Sequence, residues 1–257
     1  MTGSPPPVPI SEKEMSKADK EPYFLKYNKG IVDKALGISI HGKDSLKLGR
    51  NNKKSFFEKD LSHRSKHEYS EAQKQNFIEI EKAVNTKQGQ YKNLGDIVDN
   101  YTNITKDNEN CATCVIVHEL RLRGFDVVAK SFSQDREGIM SKLSENPKIV
   151  WVNNKGKIPE YTLIKGSSEK EIIKRIENST SGIGRYHLSW DESKEFGHIV
   201  TIERTKNGLI IYDPQQNDFL SINEIIQRMY KNTPLQLLRV DNLLFRVEFM
   251  NKLAFFK

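Results

Sequence analysis

The chain has 257 residues, 36% of them hydrophobic and 29% charged, with a formal net charge of +7 and only two cysteines. No apolar run approaches the ~18 residues that argue for a transmembrane helix, and a mean hydropathy of −0.65 fits a soluble chain with enough apolar residues for a core. The positive excess is spread, with 19 basic against 16 acidic side chains over residues 1–109 and 22 against 18 over the rest, so no basic stripe points to nucleic acid.

The N-terminus, MTGSPPPVPISEKEMSKADK, lacks a basic stretch followed by an apolar one, so no Sec signal peptide is expected. If the protein leaves its cell, a different route carries it. Residues 1–10 are proline-rich and read as a disordered linker. Residues 11–104 are polar and rich in Lys and Asn, and are expected to form a mainly helical N-terminal region without chemistry of its own. His41, His63 and His67 lie in it and are given no catalytic role. Within it, Ser70 to Val84 pairs a Ser with a following Gln and spaces its apolar residues as a helix does. A second short helix is predicted over Leu94 to Tyr101.

After residue 110 the texture changes. A helix is predicted over about 111–123, with Asn110 as its N-cap and Gly124 as its C-cap. Phe125 to Ala129 reads as a strand, Ile139 to Leu143 as part of a short helix, and Lys148 to Val152 as a strand. Ser168 to Asn178 reads as an amphipathic helix with Ile172, Ile173 and Ile176 on one face. Gly184 to Trp190 and His198 to Arg204 read as strands. Asn207-Gly208 is a hairpin turn signal, and Leu209 to Tyr212 is the returning strand. Ser221 caps a helix that runs to Tyr230, and Leu237 to Phe249 supplies one or two closing strands. The order, helix first and antiparallel sheet after, is an α+β pattern with the cysteine helix packed on the sheet.

Both cysteines fall in Asn110-Cys111-Ala112-Thr113-Cys114, where that helix begins. Two cysteines three apart make neither a disulfide framework nor more than half a zinc site, and no metal or other cofactor is expected. A redox C-x-x-C is a rival reading. A thiol at the first helical turn meets unpaired backbone N–H groups and the positive end of the helix dipole, which favour the reactive thiolate. Such a nucleophile needs a base, and the base needs an orienting group. His198 opens a strand, and Asp213 ends the strand that returns from the Asn-Gly turn. The two ends of that hairpin come together, so His198 is the candidate base and Asp213 its orienter. His187 is a weaker base candidate. His118 reads as a surface or packing residue, Arg121 and Arg123 as a solvated helix face, and Trp151 and Trp190 as core or cleft-wall aromatics.

The ordered set NC-x-x-C, HELRLRGFDVVA, GRYHLSW, GHIVTIE, NGLIIYDPQ and LRVDNL resembles the papain-like toxin superfamily over roughly residues 108–245. That family includes glutamine deamidase domains of polymorphic toxins and domains appended to phage head-morphogenesis proteins. The resemblance implies a papain-like fold over residues 105–257 and a Cys-His-Asp triad: Cys111 as nucleophile, His198 as base, Asp213 as orienter. Gln215 would be a supporting polar residue, and Asn110 would help the helix start to stabilise an oxyanion. Cys114 is the alternative nucleophile, since papain itself keeps a structural cysteine three positions before the reactive one. The function implied is a bacterial toxin or effector that deamidates glutamine in a target-cell protein. It would be delivered by a non-Sec route and matched by a cognate immunity protein. The alternatives are a cysteine protease toxin of the same fold and an inactive phage or interaction module.

Overall fold

The computed structural model describes residues 69–92, 97, 101–135, 137–206, 208–231 and 233–256. The expectations for residues 1–68, most of the predicted helix over Leu94 to Tyr101, and Asn207 of the hairpin turn lie outside the described residues.

The described residues form a mixed α+β structure built on an antiparallel sheet. In chain order the elements are α1 (Glu71–Val84), α2 (Cys111–Leu122), β1 (Val127–Ala129), α3 (Ile139–Glu145), β2 (Trp151–Val152), β3 (Thr162–Ile164), α4 (Glu169–Ser179), β4 (Gly184–Asp191) and β5 (Gly197–Thr205). They continue with β6 (Gly208–Asp213), β7 (Asp218–Phe219), α5 (Ile222–Arg228), β8 (Leu235–Arg239), β9 (Leu244–Phe245), α6 (Met250–Leu253) and β10 (Ala254–Phe256). The main sheet has the order β3-β8-β4-β5-β6-β7, and β1-β10 and β2-β9 form two short ribbons. The expected strand over Lys148 to Val152 is mostly a 3-10 turn, Pro147–Val150, with only Trp151–Val152 extended. Pro147 at the first position of that turn has no N–H to give a ladder.

Alternation along the strands separates two cores. Leu188, Trp190, Val200, Ile202 and Ile211 meet Ile172 and Ile176 of α4 and Ile225 of α5. The other core gathers Ile199 and Leu238 of the sheet with Val115, Ile116 and Leu120 of α2, and with Trp151 and Phe245. Eleven of the twelve residues of α2 are buried, all but Cys111. It is therefore a central helix rather than a surface one, packed against β5, β1 and α3.

Helix α1 begins with the capping box that Ser70 and Gln73 suggested. It belongs to the same core as α2, through Phe77 and Ile80. Gln73 Nε2 donates to the Asp241 carbonyl (2.8 Å), and Asn76 exchanges two hydrogen bonds with the Phe245 backbone (2.8 and 2.9 Å). Packed core thus lies on both sides of the boundary expected near residue 104. At the other end of α2, Gly124 has φ +95°, and a Cβ there would stand 2.6 Å from the Gly89 carbonyl oxygen. Glycine is required by both the backbone conformation and the close approach of the chain after α1.

Arg121 and Arg123 do not form a solvated face. Both are buried, and Arg123 joins Glu119 and Arg185 in an internal ion cluster. Arg123 Nε and Arg185 Nη2 donate to Glu119 Oε1 (both 2.8 Å), and Arg185 Nε to Oε2 (2.7 Å). The remaining guanidinium donors of Arg123 reach the carbonyls of Leu243 and Val240, and Arg185 Nη1 reaches the Tyr91 hydroxyl. The cluster ties α2 to β4, to the β8–β9 turn and to the chain after α1.

Candidate active site

Cys111 is the first residue of α2, His198 the second of β5 and Asp213 the last of β6. The β5–β6 register pairs Thr201 with Tyr212, and continuing it sets Asp213 diagonal to His198 on one face of the hairpin. The two side chains meet: His198 Nε2 lies 2.7 Å from Asp213 Oδ2, with both residues buried. Cys111 lies close enough to the same ring to raise its pKa, and with Nε2 facing Asp213 the nitrogen left for the thiol is Nδ1. Cys111 is partly exposed, unlike His198 and Asp213. Cys111, His198 and Asp213, from three elements, are thus neighbours in the fold.

Asp213 is held for this contact. Its Oδ1 accepts the backbone N–H groups of Gln215 (2.9 Å) and Gln216 (3.2 Å), an Asx turn that ends β6. Oδ2 is left for the imidazole. Burial opposes the charged form of His198, but the hydrogen bond it donates to Asp213, and then the interaction with Cys111, push its pKa up to about 9. The ring therefore carries a proton at neutral pH. Trp190, paired with His198 across β4 and β5, packs its indole edge-on against the imidazole, with centroids 5.2 Å apart. Gly197 lets the Trp190 carbonyl approach, since a Cβ would sit 3.0 Å from it. The register reveals this contact, but alternation alone leaves Trp190 between core and cleft wall.

The two cysteines are unequal. Cys114 is fully buried, and burial, followed by the nearby Cys111, pushes its pKa well above that of a free thiol. Its thiol donates to Asn110 Oδ1 at 3.2 Å. Asn110 occupies the N-cap position but makes no side-chain cap bond. Its Nδ2 instead donates to the Lys130 carbonyl (3.0 Å) and to Asn103 Oδ1 (3.3 Å), so both amide hydrogens are engaged away from any oxyanion. The first-turn N–H groups of α2, which have no carbonyl within the helix, are the donors left for that task. Gln215 is buried, and its Nε2 donates to Asn110 Oδ1 at 3.3 Å. Asn103, which carries no signal in the sequence, donates to the Gln215 carbonyl at 3.0 Å.

The other histidines are of a different kind. His118 is buried on α2, 5.0 Å from the Tyr212 ring, and neither ring nitrogen has a hydrogen-bond partner among the described residues. Burial, then Arg121, drives its pKa down to about 3. Burial likewise holds His187 at about 4. Folded pKa values below the unfolded ~6.5 mean that the unfolded chain binds more protons between those values. Stability from these two rings is complete above pH ~6.5 and is lost as pH falls through about 4 and 3. His198 has the opposite sign: its contribution is complete below ~6.5 and is lost as pH rises through about 9. The urea midpoint is therefore expected to be highest near neutrality and to fall on both sides. His118→Leu should flatten the acid limb, measured by urea titrations between pH 4 and 7.

Among the described residues no group of three or more His, Cys, Asp and Glu side chains could hold a metal ion, and no helix is long and apolar enough to cross a membrane. Compared with family models and with curated proteins, the chain matches none of them.

Proposed function

We propose that the chain is a cysteine-dependent hydrolase of papain-like design that deamidates glutamine side chains in a protein of a target cell. One observation carries this reading: a single imidazole stands between a carboxylate on one ring nitrogen and a partly exposed thiol at a helix start. Cys111 attacks the carboxamide carbon as the thiolate, and the carbonyl electrons move onto oxygen beside the first-turn N–H groups of α2. The C–N bond then breaks, and His198 gives its proton to the departing ammonia. The neutral ring next takes a proton from water, which hydrolyses the thioester to leave glutamate and the free cysteine. Asp213 keeps Nε2 protonated throughout, so that Nδ1 is the nitrogen that trades protons.

The resemblance of the ordered motifs to polymorphic-toxin deamidases supplies the substrate class and the toxin role. A non-Sec delivery route and a cognate immunity protein in the producing cell follow from that role. The test is peptide and intact-mass spectrometry of target-cell proteins exposed to wild type and to Cys111→Ala. Amide-to-acid mass shifts at glutamine, with ammonia release, that vanish in the variant are expected. Cleaved fragments instead would identify a protease. Full toxicity of both Cys111→Ala and His198→Ala would sink the enzyme reading.

A further inference from the structure

We propose that the Asn110 side-chain amide is the positioning residue that sets the Cys111 thiol against the His198–Asp213 pair, with the Cys114 thiol and the Gln215 amide as its two donors. This rests on the hydrolase reading and gives the second cysteine a task within it. Asn110 immediately precedes the nucleophile, so any rotation of its backbone moves Cys111. All of its hydrogen-bonding capacity is used, and each bond leads to a different segment. Oδ1 accepts Cys114 Sγ–H at 3.2 Å, one turn along α2, and Gln215 Nε2 at 3.3 Å, two residues beyond Asp213. Nδ2 donates to Asn103 Oδ1 at 3.3 Å and to the Lys130 carbonyl at 3.0 Å, after β1.

The circuit closes on the other side. Asn103 Nδ2 donates to the Gln215 carbonyl at 3.0 Å, and the Gln215 N–H donates to Asp213 Oδ1 at 2.9 Å. From Asp213 Oδ2 the path runs to His198 Nε2 at 2.7 Å. The start of α2 and the end of β6 are thus joined by a buried polar loop that does not pass through the reacting sulfur. Asn110 lies 2% exposed and Gln215 7% exposed, so water does not readily replace a lost partner, and a broken bond leaves an unpaired buried acceptor. The Cys114 thiol suits its place because burial keeps it protonated, and only the protonated form donates. The C-x-x-C spacing then has a cause: position i+4 from Asn110 lies on the same helix face, within reach of its side chain.

The experiment needs no identified substrate. The rate of Cys111 alkylation by iodoacetamide is measured at pH 6 and pH 9.5 in full-length wild type, Cys114→Ala, Cys114→Ser, Asn110→Ala and Gln215→Leu, with labelling sites read by mass spectrometry. At pH 9.5 a cysteine reacts whether or not an imidazolium stands beside it, whereas at pH 6 it depends on that neighbour. Cys114→Ala, Asn110→Ala and Gln215→Leu are each expected to lower the pH 6 rate by about tenfold, the worth of one such bond, while changing the pH 9.5 rate little. Cys114→Ser keeps a donor and is expected to stay within about threefold of wild type. If circular dichroism shows one variant unfolded, the others decide, since they cut the same loop at different points. Wild-type ratios in all folded variants, or equal losses in Cys114→Ser and Cys114→Ala, overturn the proposal. A wild type that itself reacts at pH 6 no faster than a free cysteine would overturn the hydrolase reading instead.

Discussion

Asp213→Asn is expected to lower the rate of ammonia release about 10²- to 10⁴-fold while leaving the fold intact. The change removes one charge and no volume, yet it reverses a proton. In the wild type Oδ1 accepts two backbone N–H groups, from Gln215 and Gln216, and Oδ2 faces His198 Nε2. An asparagine cannot present an N–H to those two backbone donors, so its oxygen stays with them and its Nδ2 turns to the imidazole. The imidazole must then accept at Nε2 and carry its proton at Nδ1, toward the sulfur. That tautomer cannot take a proton from Cys111.

A second consequence concerns pH. Asp213 is the largest of the influences that hold His198 protonated up to about 9, and burial pulls the other way. With the carboxylate gone, burial dominates and the pKa drops. The reactivity of Cys111 below about pH 8, which depends on the imidazolium, is expected to fall toward that of a free cysteine in Asp213→Asn, while the rate near pH 9.5 changes little. Iodoacetamide labelling of Cys111 between pH 5 and 10 reads this directly. A variant with a wild-type profile would show that Asp213 only shapes the turn.

The catalytic candidates were legible because each sits at a point where local rules are strong. A cysteine after an Asn at the head of a helix, a histidine opening a strand and an aspartate closing its hairpin partner are fixed by cap, period and turn signals. The register then followed from the hairpin. Helix α2 was harder to read. Its sequence alternates apolar residues with His118, Glu119, Arg121 and Arg123, which looks like a solvated face. In the structure the helix is surrounded: Glu119 pairs with Arg123 and Arg185, Arg123 reaches carbonyls more than a hundred residues away, and Arg121 donates to the Thr102 hydroxyl. Charge compensation between distant segments leaves no periodic trace. The same is true of Asn103, whose role depends on where Gln215 ends up, and of α1, whose polar surroundings in sequence hid its share in the main core.

The buried ion cluster carries the largest expected stability effect. Glu119 is the carboxylate that bonds both guanidinium groups, with Glu119 and Arg123 at 0% and Arg185 at 3–4% exposure. Burial raises its pKa, but Arg185 and then Arg123 outweigh that and hold it well below the usual carboxylate range. Glu119→Ala leaves two buried cations without the carboxylate that both of them bond. Breaking one such pair costs about 3–5 kcal/mol, against a total of ~5–15 kcal/mol for a typical domain, and here two pairs break at once. The variant is expected to be largely unfolded, or to lose most of its urea midpoint. Replacing all three residues by Glu119→Leu, Arg123→Met and Arg185→Met should recover part of the loss, because the buried charges leave together. Recovery stays incomplete, since the carbonyls of Val240 and Leu243 would lose the Arg123 donors that now satisfy them. Cys111 sits two turns from Glu119 on the same helix, and the cluster fixes that helix to β4. A folded Glu119 variant should therefore also react more slowly with iodoacetamide at pH 6, which separates anchoring of the nucleophile helix from a purely local effect on stability.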